Sequence, residues 1–408
     1  MTGSPAIPPP PAPPVLPSWL LALTLALLPA LAPVWSAPRV PAGDGVVLER
    51  LPVRAGDATG RELRRLREAL RANPNDPVAA ERLARRYFEL ASGEGDPRYI
   101  GYAEAALRPW AETADAPPEI VLAGALLKQY RHEFTAAMQD LDRVLLALPG
   151  HTEAISWKMA LHLVRGDYTN ARHSCTRLAA SATVLATTAC TAVIDGINGK
   201  ARAAHAALAA ALVAHPPQSE EYRQWVLTRL AEMAQRFNDR TLAERYFREA
   251  IAVPFIDGFV LAAYADLLLD EQRPAEVLRL LRNHENSDIL LLRLALAAAA
   301  AKSPDAARYA RSLGERFAAS ALRGDRLHLQ EQARFELQLR GNAAAALQLA
   351  VEDWAIQREP RDARLFMEAA LAAGKPAAAR PALDWMDATG YEDPRYQALA
   401  ARLRKALP

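Results

Sequence analysis

Apolar positions along this chain recur at intervals of three and four, the period that lays a single stripe along an α-helix. The pattern starts near Asp57–Arg61 and runs to the C-terminus in pieces of about 12–16 residues. Short polar breakers separate the pieces, at 73–76 (NPND), 114–119 (ADAPPE), 148–153 (LPGHTE), 215–220 (HPPQSE), 283–288 (NHENSD) and 358–363 (REPRDA). Runs of Val, Ile, Thr and aromatics that would build strands are nearly absent. Many short helices with short connections predict antiparallel neighbours and an all-α fold.

The spacing also repeats on a longer scale. Ala137, Leu141, Val144 and Pro149 set a pattern that Ala204, Leu208, Ala211 and Pro216 reproduce. Ala171, Cys175 and Leu178 carry its first three positions, as do Ala243, Phe247 and Ala250. The anchors run Ala103, Ala137, Ala171, Ala204, Ala243, Val277, Ala307, Ala345 and Ala379, separated by 34, 34, 33, 39, 34, 30, 38 and 34 residues. A small residue at a fixed point lets two helices approach, and a large one beside it fills the remaining space. Proline ends the second helix because it lacks an N–H and clashes with the preceding turn.

This pattern resembles the tetratricopeptide repeat, a helix–turn–helix unit of about 34 residues. The unit at 224–254 matches best. Leu227, Leu230, Ala231 and Ala234 lie on its first helix, Ala243, Phe247 and Ala250 on its second, and Pro254 comes one place early. At 152–178 the match is Ile155, Met159, Gly166-Asp167-Tyr168, Ala171 and Leu178. The resemblance covers roughly residues 75–390, with a lengthened first unit at 91–101 and a loss of register at 300–345. It implies a right-handed superhelical α-solenoid of antiparallel helix pairs, about eight or nine units. It also implies a concave groove lined by the first helices, which act on proteins or peptides. Mapped through the units, the groove candidates are Gln129, Tyr130, Trp225, Thr228, Glu232, Gln235, Phe259, Ala262 and Asp266. Members of the family that clamp a C-terminal carboxylate use aligned Lys and Asn, a set not found here.

Composition supports the helical reading: alanine makes up about a fifth of the chain, and Leu, Arg and Glu are also abundant. With 49 basic and 47 acidic residues evenly spread, no basic stripe marks a nucleic-acid surface. The first 52 residues stand apart, holding thirteen of the thirty prolines and no charge before Arg39. Residues 18–35 are apolar, and Val34-Trp35-Ser36 offers a small-residue cleavage pattern. Residues 1–36 therefore read as a signal peptide cut after Ser36, or as an uncleaved membrane anchor. In the anchor reading, Arg39, Arg50 and Arg54 favour a cytoplasmic body. Residues 37–56 read as a Pro/Gly-rich linker, 57–392 as the solenoid and 393–408 as a capping helix, with Arg402, Arg404 and Lys405 at its dipole end. The expected location is exported, periplasmic or extracellular.

No phosphate-loop, dinucleotide, zinc-protease or nucleophile-elbow motif is present. No catalytic residue, cofactor or metal is assigned. His162 and His173 lie on successive helices of one unit, with no aligned Cys or carboxylate ligand, and read as surface or capping residues. Cys175 and Cys190 sit about equally far from the bend at Ser181–Thr183, so they lie at similar height on neighbouring helices. They are either a disulfide, as export favours, or two small apolar residues in a helix seam. The expected function is a non-catalytic exported scaffold for proteins or peptides, in envelope assembly or secretion. The alternatives are a helical enzyme acting on a polysaccharide or peptide polymer, and a cytoplasmic regulator on an anchor. The oligomeric state is left open.

Overall fold

Each unit is set by its turn. In the computed structural model, described for residues 57–407 without 112, 218, 254–256, 323, 325 and 326, twenty α-helices follow one another. The apolar run, the linker and Pro254 lie outside the described residues. After α1 (Ala58–Ala72), nine antiparallel pairs stack in chain order. They are α2/α3 (Pro77–Glu94, Arg98–Leu107), α4/α5 (Pro118–Tyr130, Phe134–Ala147) and α6/α7 (Thr152–Val164, Tyr168–Leu178). Then come α8/α9 (Val184–Ile197, Ala201–Ala214), α10/α11 (Glu220–Arg236, Arg240–Ala250) and α12/α13 (Gly258–Asp270, Pro274–Leu280). The last are α14/α15 (Asp288–Ala300, Ala306–Leu322), α16/α17 (Leu329–Gln338, Ala343–Trp354) and α18/α19 (Pro360–Ala372, Arg380–Thr389). A short 3₁₀ turn, Pro376–Ala379, leads into α19, and α20 (Pro394–Ala406) packs on α18. Among the described residues there is no strand. The α-solenoid of tetratricopeptide-like pairs expected from the sequence is the fold observed.

Inside each of the nine pairs the connection contains one residue in the left-handed region: Gly95, His132, Gly166, Gly199, Asn238, Gln272, Lys302, Gly341 and Gly374. Glycine adopts that conformation freely, while another side chain is strained there by about 1–2 kcal/mol. The next residue often caps the second helix. Asp167 accepts from Asn170 N, Asp239 from Leu242 N and Asn342 from Ala345 N. A left-handed residue followed by an Asx cap stops one helix and starts the next within four residues.

The anchor residues mostly sit where their spacing places them. Ala103, Ala137, Ala171, Ala243, Val277 and Ala379 are fully buried. In the opening pair of the register, Phe247 is buried between Ala243 and Ala250, and its ring stacks on Tyr264 of α12 at 5.5 Å. Two anchors differ. Ala307 is exposed because Ser303-Pro304-Asp305 delays the start of α15, and Tyr309 takes the buried place. Ala345 is half-buried while Ala346 is fully buried, a one-residue slip inside the uniform run 343–346.

Cys175 on α7 and Cys190 on α8 form a disulfide, with their Cα atoms 5.6 Å apart. It ties two successive units together inside the apolar seam, where both residues are buried.

The stack winds far enough for its turns to meet. The N–H of Arg358 donates to Val164 O at 2.7 Å, and Trp385 Nε1 donates to the Tyr168 hydroxyl at 2.8 Å. Glu392 accepts from Ala201 N at 2.8 Å. Gly199 lies directly against the Gly390 carbonyl, where an added Cβ would sit 3.1 Å from that oxygen. At the other end, Gly95 lies against Ser287 and Gly258 against the backbone of Ser92 and Gly93. The late units therefore cover the inner face of the early ones.

Candidate functional site

First helices of the pairs carry charged residues toward the inner face, and the winding brings these together. Arg364 of α18 donates Nη1 and Nη2 to the two oxygens of Asp270 on α12, each at 2.8 Å. Arg395 of α20 bonds the same carboxylate and also forks Asp393, with distances of 3.0 and 2.6 Å. One turn earlier on α12, Asp266 is held by Arg293 of α14 at 2.7 Å and by Arg334 of α16 at 2.6 Å. Burial opposes charge on Asp266, but these two guanidiniums outweigh it and hold the carboxyl well below the usual range. Arg293 is 2% exposed, so its guanidinium is a fixed part of the interior, while Asp266 is half-buried.

The inner face is not completely closed. A cavity of about 560 Å³ remains at the C-terminal ends of α12, α14 and α16. Arg240, Arg334, Arg364, Arg395 and Arg402 line it, together with Asp270 and Glu368. Leu269, Leu296 and Leu399 supply apolar wall. Guanidinium groups stay protonated at any working pH and offer five donors in a planar fork. Such walls recognise anionic oxygens; they do not exchange protons.

The groove candidates fall into three places. Trp225, Glu232 and Phe259 are brought together by Arg229, which lies 5.6 Å from the Trp225 ring, 4.7 Å from the Phe259 ring and 2.9 Å from Glu232. Trp225 stacks on Tyr222 at 5.7 Å, and Arg361 of α18 covers Phe259 at 5.8 Å. On the same helix as Trp225, Thr228 is 1% exposed, and its hydroxyl donates to Gln224 O at 2.8 Å. Gln235 is half-buried one turn beyond Glu232. Asp266 belongs to the arginine network, and Ala262 is buried. Tyr130 stands elsewhere, edge-on to Phe88 at 6.4 Å, with Gln129 half-buried beside it.

A second charged group lies under the late units. Glu331, Asp353 and Asp362 are buried around Arg361, with His328 3.9 Å from Glu331. Burial raises Asp353 to about 7, helped by the charge of Glu331. Burial and Asp353 raise Asp362 well above the ordinary carboxylate range. Burial opposes ionisation of Glu331, but His328 and Arg361 outweigh it and lower its pKa. His132, in the α4–α5 turn, is pushed down by burial and feels the charges of Glu331 and Arg361. Neither this group nor Arg229 borders the arginine-lined cavity.

His162 lies 3.2 Å from Asp167 in its own turn, and His173 is exposed. Among the described residues no group of three or more His, Cys, Asp or Glu is arranged to hold a metal ion. No described helix is long and apolar enough to cross a membrane. Sequence reasoning missed the Asp270–Arg364–Arg395 set. Its partners are 94 and 125 residues apart, and only arginines on the first-helix face (Arg334 and Arg364) hinted at it.

No family model matches the chain, and no curated protein does. Several solved structures are similar to it. The Cut9–Hcn1 hetero-tetramer of the APC/C is 12% identical, with a TM-score of 0.47 over 85% of this chain and 76% of that one. Yeast Tom70 is 13% identical, with a TM-score of 0.33 over 85% and 92%. The TPR domain of P58(IPK) is 14% identical, with a TM-score of 0.21 over 78% and 94%.

Proposed function

We propose that this chain is a non-catalytic scaffold that binds proteins or peptides on its inner, concave side. One observation carries the reading: the cavity that the winding leaves open is walled by guanidiniums from α11, α16, α18 and α20. Side chains that cannot give up a proton suit recognition and not acid–base turnover. Stacked helix pairs also hold such walls rigidly, because each unit is packed on both neighbours.

The shelf of Trp225, Arg229 and Phe259 is a second contact area of the same side in this reading. Thr228, Glu232, Gln235 and Asp266 position or flank these areas, and Tyr130 offers a separate contact beside Phe88. Residues 1–36 act as a signal peptide or anchor, 37–56 as a linker, 57–392 as the solenoid and 393–408 as its cap. Export is supported by the disulfide, since such bonds persist in oxidising compartments. A role in envelope assembly or secretion accords with that location.

A photo-reactive residue placed at Ala398, in the cavity, tests the scaffold reading in living cells. Discrete protein adducts from Ala398, absent from a control at exposed Ala318 on α15, are the expected result. Equal adduct patterns at both positions overturn it. Fusing residues 1–60 to a compartment reporter tests export separately.

A further inference from the structure

Carboxylates and arginine forks meet repeatedly around the cavity. Asp270 lies in the fork of Arg364, Asp393 in that of Arg395, and Asp266 in that of Arg293. Paired N–H donors match the two oxygens of a carboxylate in spacing and plane, and the charge roughly doubles the strength of each bond. Among the described residues, Arg240 and Arg402 differ from their neighbours: both line the same cavity, both are exposed, and neither has an anionic or carbonyl partner. Arg240 begins α11, and Arg402 sits near the end of α20. One comes from the fifth pair, in the middle of the stacked array, and the other from the last helix, and the winding of the late units brings them to one opening.

The volume of about 560 Å³ falls within the range of roughly 300–1,000 Å³ typical of ligand sites, enough for a short stretch of side chains. Its apolar wall of Leu269, Leu296 and Leu399 suits the aliphatic stems of an extended peptide. No aromatic ring lines it, so a stacking platform for bases is missing from the lining.

We propose that this cavity binds an acidic segment of a protein partner through side-chain carboxylates, with Arg240 and Arg402 as the two docking cations. The proposal rests on the scaffold reading and specifies the chemistry of the partner.

The test uses the full chain and a fluorescent, C-terminally amidated peptide rich in Asp and Glu, read by anisotropy. Competitors are the Asn/Gln counterpart of the peptide, inorganic phosphate and an oligothymidylate. Binding of the acidic peptide should weaken as salt rises. The double variant Arg240→Gln/Arg402→Gln should weaken it by about tenfold, and Arg240→Lys/Arg402→Lys by less. Both side chains are exposed and unpaired, so the thermal unfolding of the variants should match that of the parent. Unchanged affinity in the double variant overturns the proposal. So does equal binding of the Asn/Gln peptide, or displacement by phosphate or oligothymidylate at equal charge. Absence of peptide binding while Ala398 still cross-links to specific proteins defeats this inference alone; loss of both defeats the scaffold reading as well.

Discussion

Asp270 and Arg364 lie 94 positions apart and meet in a two-point ion pair, each guanidinium Nη bonding one carboxylate oxygen at 2.8 Å. Their contact joins the sixth helix pair to the ninth across the inner face. Arg395 adds a third strand to the same tie, from the capping helix.

Asp270→Asn should loosen this closure. It leaves Arg364 and Arg395 partly buried, each with a single remaining charged partner, Glu368 for the first and Asp393 for the second. A cost of about 1–3 kcal/mol is expected, below that of a fully buried pair because all three side chains retain some exposure. Urea denaturation measures the loss, and small-angle scattering should show a larger radius if the late units swing away. An unchanged midpoint and radius would show that apolar contacts alone close the turn.

The bridge between Cys175 and Cys190 closes a loop of 15 residues. Its removal by Cys175→Ser/Cys190→Ser should cost about 2–4 kcal/mol, most of it through the greater freedom of the unfolded chain. The denaturation midpoint of the oxidised parent should match that of the variant once reductant is added. Mass mapping of the protein without reductant should recover the two cysteines in one linked peptide pair.

Gly199→Ala should disturb a contact between turns as well as its own backbone. The residue is left-handed, and a Cβ would press on the Gly390 carbonyl at 3.1 Å. Strain of about 1–2 kcal/mol is expected from the backbone alone. Gly374→Ala serves as the control, being also left-handed but with nothing near its Cβ direction. Hydrogen exchange of α19 and α20 should rise in the first variant and not in the second.

Stability should depend on pH through Asp353. Its folded-state pKa, about 7, lies above the unfolded value of about 4, so the native chain holds an extra proton between them. The unfolded state binds fewer protons in that window, and stability therefore falls as pH rises from about 4 to 7. Asp353→Asn should flatten the slope, and adding Asp362→Asn should flatten it further, since Asp353 helps raise Asp362. Glu244 acts with the opposite sign. Arg273, followed by Arg248 and Tyr264, holds it at about 2, so its contribution is present above about pH 4.5 and is lost as pH falls toward 2. Thermal melts across this range separate the two effects.

Local features made the repeats legible. Gly166-Asp167 in the turn, Ala171 at the close approach and Leu178 near the end of the helix each act on residues within one unit, so their spacing is written in the sequence. The slips at Ala307 and Ala345 arose where that signal fails: three extra turn residues in one case, and four consecutive alanines in the other. The groove candidates show a different limit. Trp225 and Phe259 were recognisable as first-helix residues, but Arg229 between them and Arg361 over them were not, because Arg361 comes from a unit more than a hundred residues later.

By itself, then, the sequence determined the helix pairs, their order, and the matched heights of Cys175 and Cys190. Period, turn chemistry and nearest-neighbour packing specify all of these. Only the tertiary structure decided that the turns of the stack meet, that Asp270 faces Arg364, and that Arg240 and Arg402 share one opening. Each unit adds a small rotation to the last, and the position of a distant unit is the sum of those rotations. No single residue encodes that sum, so the inner face acquires its chemistry only when the whole array is wound.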